Sequence, residues 1–246
     1  MKNILKLLIL IFCFSHLGKL HAQTSFNFND SIKKSSLLKK SIVPLSLIGL
    51  GVIINKSNFE KRLQTDIRNK VGNNYEFKID DYLQFAPIFE LYGADILGVK
   101  AKNHWFDQTK NLFISNIASS TITFFLKKLT GKMRPNGIGY RSFPSGHTTF
   151  AFTNATVLYN EFKETSPVLA YSGFAFATTT GAYRMINNKH WFSDVLVGAG
   201  IGILVTELVY HFEPFKNFNP FKETKNITLI PQFNDENYGV YFSYSF

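Results

Sequence analysis

Apolar residues along this chain fall in long blocks parted by short polar breaks, and most blocks have the reach of helices rather than strands. Ser41–Ile54, "SIVPLSLIGLGVII", is almost wholly apolar. The next stretch, "NFEKRLQTDIRNKV", spaces Phe59, Leu63, Ile67 and Val71 by four and closes on Gly72-Asn73-Asn74. That stripe predicts an amphipathic helix. Its polar face, with Lys61, Arg62, Arg68 and Lys70, is expected in solvent, a seat for anionic lipid head groups being the sharper alternative. Further helices are predicted over Tyr82–Val99, Phe106–Leu126, His147–Phe162, Pro167–Tyr183 and Ser193–Phe212, with a Gly-, Pro- and Arg-rich loop between Leu126 and His147. Beyond Pro214 the texture changes: "ITLIPQF", "NDEN" and "YGVYFSYSF" read as strand, turn, strand. The pattern therefore predicts an all-α multi-helix bundle over residues 23–214, its first residues (23–30) polar and loose. A linker and a short β-hairpin are predicted over 215–246. Tyr238, Val240, Phe242, Tyr244 and Phe246 alternate like the closing strand of an outer-membrane barrel. One hairpin cannot close a barrel, so the hairpin is expected to pack on the bundle.

The first block is of another kind. "MKNILKLLILIFCFSHLGKLHAQ" has a basic start at Lys2 and Lys6, an apolar centre over Ile4–Phe14 and a small-residue exit at Ala22. This is the pattern of a secretory signal peptide over residues 1–22, and its apolar run is short for a membrane span. Cys13, the single cysteine, lies inside it, so the mature chain is expected to hold no disulfide and no thiol chemistry. Losing Lys2, Lys6 and Lys19 takes the net charge from +10 to +7. A basic exported protein, on the periplasmic side of a bacterial envelope, meets anionic lipids or phosphorylated substrates more often than nucleic acid. No basic-aromatic pattern of a nucleic-acid binder is present.

With 45% hydrophobic and 18% charged residues, and 26 Phe among 246 positions, the chain can bury a core and is not of the disordered class. Glu90, Asp95, Asp107, Lys110 and Glu207 fall within or beside the predicted helices. A charge costs on the order of 3 kcal/mol at mid-bilayer. Had Ser41–Ile54, Tyr82–Val99 and Phe106–Leu126 all crossed after a cleaved leader, the following loop would face the cytoplasm. The expectation is thus a bundle buried mainly against itself and seated on a membrane surface.

Three short motifs carry chemistry. In "KKLTGKMRP", Lys127 and Arg134 are six residues apart and Pro135 follows; "PSGH" is Pro144–His147; in "RMINNKHWFSD", Arg184, His190 and Asp194 stand in order. If His190 and Asp194 share a helical face, the carboxylate can hold one imidazole nitrogen as N–H and leave the other as a nucleophile. Alone, the pair reads as an ordinary surface contact. Arg134, Arg184 and Lys127 flank the two histidines, and guanidinium groups match phosphate oxygens in pairs. Gly146 opens a helix whose free N–H groups form an anion seat. Ser145 can cap that helix or donate to a phosphate oxygen, and His147 on the rim can protonate a leaving oxygen. Lys128 and Lys132 read as general positive potential, Trp191 and Phe192 as packing or a lipid entrance, and His104 and His211 as surface or capping residues.

These three motifs, in this order, resemble the type 2 phosphatidic acid phosphatase superfamily, which also holds bacterial acid phosphatases and vanadium haloperoxidases. Its signature is Lys-x6-Arg-Pro, Pro-Ser-Gly-His and Ser-Arg-x5-His-x3-Asp, and the match spans Lys127 to Asp194. One position departs: Tyr183 stands where the family usually has Ser. The resemblance implies a metal-free, cofactor-free, two-step phosphoryl transfer through a phosphohistidine at His190. Asp194 would orient it, His147 would serve as acid and base, and Lys127, Arg134, Ser145, Gly146 and Arg184 would hold phosphate. The substrate implied is a phosphomonoester or (pyro)phosphate, of a lipid given the basic surface and the Phe content. A soluble non-specific acid phosphatase, a vanadium-dependent haloperoxidase and an inactive phosphate- or lipid-binding module are the alternatives.

Overall fold

The computed structural model describes residues 28–219, 227–233 and 238–244; the leader with Cys13 and Ala22, and the NDEN turn, lie outside the described residues. Eight helices follow one another among those residues: α1 (Phe28–Ile54), α2 (Asn58–Val71), α3 (Asp80–Leu83), α4 (Ala86–Ile96), α5 (Trp105–Thr130), α6 (Gly146–Phe162), α7 (Pro167–Ile186) and α8 (Phe192–Phe212). An antiparallel pair ends the chain, β1 (Ile227–Phe233) against β2 (Tyr238–Tyr244), with Ile227 opposite Tyr244 and Phe233 opposite Tyr238. Val240, Tyr241 and Phe242 of β2 stand exposed.

Local chemistry sets the helix ends. The single helix expected over Tyr82–Val99 is two, α3 and α4, because Pro87 enters the first turn of α4. Proline offers no N–H, which is tolerated in the first turn of a helix but not in its interior, so a helix that contains Pro87 starts just before it. His104 caps α5, accepting from the Phe106 N–H at 3.3 Å. At the other end of α5, Gly131 takes a left-handed conformation (φ 49°) and its N–H returns to the Lys127 carbonyl at 3.3 Å. Residues 28–30, expected to be loose, already belong to α1.

The seams between α6, α7 and α8 are made of small residues. Ala151, Ala155 and Ala177 are fully buried. Gly198 and Gly202 of α8 face α6, where a Cβ would fall 2.7 Å from the Ser145 carbonyl oxygen and 2.6 Å from that of Thr149. Gly200, turned to α1, lies as close to the Pro44 carbonyl, at 2.7 Å. The helices thus meet backbone to backbone.

Polar and apolar positions are distributed in the reverse of the usual soluble arrangement. Ser115, Ser119, Thr123, Thr149, Thr153 and Thr156 are buried, and Thr153 Oγ1 donates to Ser119 Oγ at 3.0 Å. Ile42, Leu45 and Ile53 of α1 and Phe113, Ile117 and Phe125 of α5 point outward. Small polar residues inside and large apolar residues outside are the arrangement of helices that pack in lipid. Leu37–Ile54 and Phe192–Phe212 are long and apolar enough to cross a membrane, and only 11% of the first is buried. The expectation of a bundle buried mainly against itself therefore fails at α1. Two of the charges that argued for it find partners inside: Lys40 and Asn160 both reach Glu207 (2.8 and 2.9 Å), and Ser172 donates to Glu90 Oε1 at 2.7 Å.

The same inversion governs α2. Its buried residues are Glu60, Gln64 and Arg68, while Phe59 of the apolar stripe is exposed. Gln64 donates to the Met185 carbonyl (3.0 Å) and Asn188 Oδ1 (2.8 Å), and Arg68 to the Ile186 carbonyl. Placing Arg68 on a solvated face was wrong: it ties α2 to the end of α7. Lys61, Arg62 and Lys70 are exposed as expected.

Candidate active site

The end of α5, the start of α6, the end of α7 and the start of α8 meet at one end of the bundle, and every predicted site residue lies there. His190 does not sit on the helix with Asp194, as the spacing argument assumed. It precedes α8, which opens at Phe192, and its N–H donates to the Arg184 carbonyl at 3.1 Å. Asp194, in the first turn, accepts from the Trp191 N–H at 2.9 Å. The imidazole Nδ1 stands 3.4 Å from Asp194 Oδ2, an ion-pair distance longer than a formed hydrogen bond. Both side chains are almost fully buried, at 2% and 0% exposure, so this is no surface contact.

Burial, chiefly, pushes the His190 imidazole down to about 4; Asp194 opposes, and the Lys127 and Arg184 charges add to the depression. The ring is therefore neutral near pH 7 and keeps a free lone pair. Lys127 is pushed down to about 8, first by burial, against Asp194 and with the Arg134 and Arg184 charges. Burial also lowers Arg134, with Arg184 next in effect. Four groups on four segments thus sense one another's charge: Lys127 from α5, Arg134 from the loop, Arg184 from α7 and Asp194 from α8.

Ser145 caps α6, accepting from the Thr148 N–H at 3.4 Å and from its hydroxyl at 2.8 Å. Of the two roles open to it, capping is the one seen. The Phe143–Pro144 peptide before it is cis, and the Ser145 N–H donates to the Asp194 carbonyl at 2.9 Å. A Cβ on Gly146 would lie 3.7 Å from Lys127 Cε, so the lysine stem runs along the free N-terminus of α6. The Lys127 ammonium donates to the Arg141 carbonyl at 2.9 Å. His147, a third exposed, pairs through Nε2 with Asp81 Oδ1 at 2.9 Å. Burial lowers it most, the Arg184 charge further, and Asp81 works against both.

Three acids and a base that hold this arrangement together escaped the sequence reading, and so did one hydroxyl. Asp80 and Asp81 of α3 receive Arg184 Nη1, at 2.7 and 3.5 Å. Asn187 also donates to Asp80, at 2.8 Å. Lys132, read as general potential, is buried against Glu60 and Asp194, and Ser142 Oγ donates to Asp194 Oδ2. Tyr183, the departure from the family pattern, stacks on Phe77 with ring centroids 6.0 Å apart; Phe77 is tied to Asn187, so the ring braces the approach to α3. Among the described residues no group of three His, Cys, Asp or Glu side chains is placed to hold a metal ion.

Residues 108–218 match the profile of the PAP2 superfamily. The chain is 34% identical over 146 residues to the lipid A 1-phosphatase of Porphyromonas gingivalis, covering 59% of this chain and 33% of that one. It is 34% identical over 89 residues to a probable lipid phosphate phosphatase 4 of Arabidopsis thaliana, covering 31% and 29%. The matches therefore span about a third of the length of these relatives. Aquifex aeolicus LpxE is 23% identical, with a TM-score of 0.45 over 62% of this chain and 93% of its own. A transmembrane PAP2-type phosphatidylglycerolphosphate phosphatase of Bacillus subtilis is 16% identical, with a TM-score of 0.46 over 73% and 99%. The matched residues contain all three motifs and the helices that bring them to one end of the bundle, and over this segment the chain is similar to the PAP2 superfamily.

Proposed function

We propose that the protein is an exported, membrane-associated phosphatase that hydrolyses lipid phosphates or pyrophosphates through a phosphohistidine, without a metal. The observation that carries this reading is the gathering of a neutral, buried His190, its acid Asp194, a second imidazole and three cations at one end of the bundle. Phosphoryl transfer needs mainly positioning and positive charge on the equatorial oxygens. Lys127, Arg134 and Arg184 supply that charge, with the α6 N-terminus at Gly146 beside them. Arg184 Nε is buried with no protein partner, so one guanidinium N–H remains for a phosphoryl oxygen.

In the first step His190 Nε2 forms a bond to phosphorus as the bond from phosphorus to the leaving oxygen breaks. His147 gives that oxygen its proton. In the second, His147 takes a proton from water, whose oxygen attacks phosphorus and frees the imidazole. Asp194 answers the charge that His190 gains, and its 3.4 Å contact can shorten to a hydrogen bond as the ring becomes cationic. With Asp81 on Nε2 of His147, Nδ1 is the nitrogen left to face the substrate.

The lipid part of the reading is supported by the apolar outer surface and by exposed Tyr82, Ile138 and Tyr140 on the segments that border the site. Export is supported by the leader pattern alone. A single preparation tests the whole: protein purified from the envelope should begin at Gln23. With chelator present it should hydrolyse dispersed phosphatidic acid, lipid A or polyprenyl pyrophosphate faster than a soluble aryl phosphate, and vanadate should inhibit it. Activity abolished by chelator refutes the metal-free site. Equal rates on the soluble ester refute the lipid preference, and halide oxidation with vanadate would make it a haloperoxidase.

A pH effect follows from Asp81. His147 must be protonated to act as the acid, and its pKa already lies below the ordinary value, so the rate of the first step should fall as pH rises through it. Asp81→Asn removes the group that raises it. The basic limb of the kcat/KM profile should then move to lower pH. An unmoved limb would show that His147 is not the acid.

A further inference from the structure

Lys132 lies five residues beyond Lys127 and outside the spacing of the motif, yet it is among the most enclosed charges in the molecule, with 5% of its side chain exposed. Its ammonium donates to Asp194 Oδ1 at 2.9 Å, to Ser193 Oγ at 2.7 Å and to both oxygens of Glu60 at 3.1 Å. The Phe143 and Trp191 rings lie 5.6 and 5.5 Å from it. Glu60, 1% exposed, accepts in addition from the Ser193 N–H (3.0 Å) and the Lys56 N–H (2.8 Å). α2 is thereby bound to the first turn of α8, next to His190.

We propose that Lys132 is a positioning residue for the transfer step: it holds the Asp194 carboxylate in place against His190, with Glu60 as the counter-charge that keeps Asp194 effective. This rests on the function proposed above. The geometry divides Asp194 in two. Oδ1 belongs to Lys132, while Oδ2 takes Ser142, the Trp191 N–H and the His190 ring. With Oδ1 fixed, the carboxylate cannot rotate, and Oδ2 stays aimed at the imidazole. Charge counting explains Glu60. A lone lysine beside Asp194 would cancel the negative charge that a phosphorylated, cationic His190 needs. Two carboxylates sharing one ammonium leave one negative charge over. Glu60 lies outside the segment that matches the family profile, so this part of the site belongs to the chain's own N-terminal helices.

Lys132→Met, Lys132→Arg and Glu60→Gln/Lys132→Met test it on the panel substrate that the parent turns over fastest. Displacing a reacting group by about an ångström costs roughly 100-fold in rate. Lys132→Met should lose that order in kcat with KM changed less than about threefold, because the phosphate-holding cations are untouched. Lys132→Arg should recover part of kcat. The double variant, which removes both charges, should regain thermal stability without regaining kcat. In 15N-histidine spectra His190 should hold a single Nδ1–H tautomer in the parent and in Lys132→Arg, and a mixture in Lys132→Met. Parental kcat in Lys132→Met, or kcat that returns together with the melting temperature in the double variant, overturns the proposal. Should the parent hydrolyse nothing on the panel, the function reading fails, and the tautomer signal still decides whether Lys132 positions Asp194.

Discussion

His190→Ala is expected to lower hydrolysis by about 10⁴-fold or more, the usual cost of removing a nucleophile from a site whose other groups remain. The loss should be chemical and not structural. Asp194 keeps Lys132, Ser142 and the Trp191 N–H when the imidazole goes, so no buried charge is stranded. Lys127, Arg134 and Arg184 also survive, and the variant should still bind inorganic phosphate. Initial rates on a dispersed lipid phosphate, thermal melts and acid-labile 32P labelling during turnover check this together. The parent should carry label on histidine and the variant none. A variant that keeps a tenth of the parental rate would sink the covalent route and with it the role given to Asp194.

Arg184→Ala is expected to harm both stability and rate. Its Nη1 sits 2.7 Å from Asp80, a carboxylate with 1% exposure whose other described donor is Asn187. Removing one partner of a buried ion pair typically costs about 3–5 kcal/mol, because the remaining charge has lost its compensation. The rate should fall by roughly 10²–10³-fold from the loss of one oxyanion-stabilising donor. Arg184→Lys separates the two effects. A lysine can restore charge beside Asp80 but cannot present a fork to a phosphoryl oxygen while doing so. Stability should largely return and the rate should not. Recovery of the rate to near the parental value in Arg184→Lys would show that Arg184 serves only to pair Asp80.

The groups that give the site its character are those with fixed spacing near the motifs. Lys127, Arg134, His147, Arg184, His190 and Asp194 are legible because each is a reactive or phosphate-matching type at a set interval. The residues that hold them were not. Glu60 occupies a helix with an apolar stripe of the same period as its polar stripe, and in a water-facing protein the apolar one goes inward. Here the bundle wears its large apolar residues outside, so Glu60, Gln64 and Arg68 turn in. Asp80 and Asp81 stand far from the motifs in the chain, on a short helix before Pro87 that the periodicity did not separate from its successor. Lys132 sits among other lysines, and nothing local marks it as the buried one. The order of the helices was readable from periodicity, though not the split of Tyr82–Val99 into two; which face each helix hides depended on the surrounding medium, which periodicity does not record.

The glycine seam along α8 acts as a fixed gauge block for the proposed site. Gly198 is one turn beyond Asp194, and the carbonyl it rests on belongs to Ser145, two residues before His147. The gap between the two imidazole-bearing segments is therefore set by main-chain contact, which has no rotamers and cannot relax. A single methyl group inserted there would act as a shim, prising the segment of His147 away from that of His190 and Asp194 while leaving each with its own neighbours.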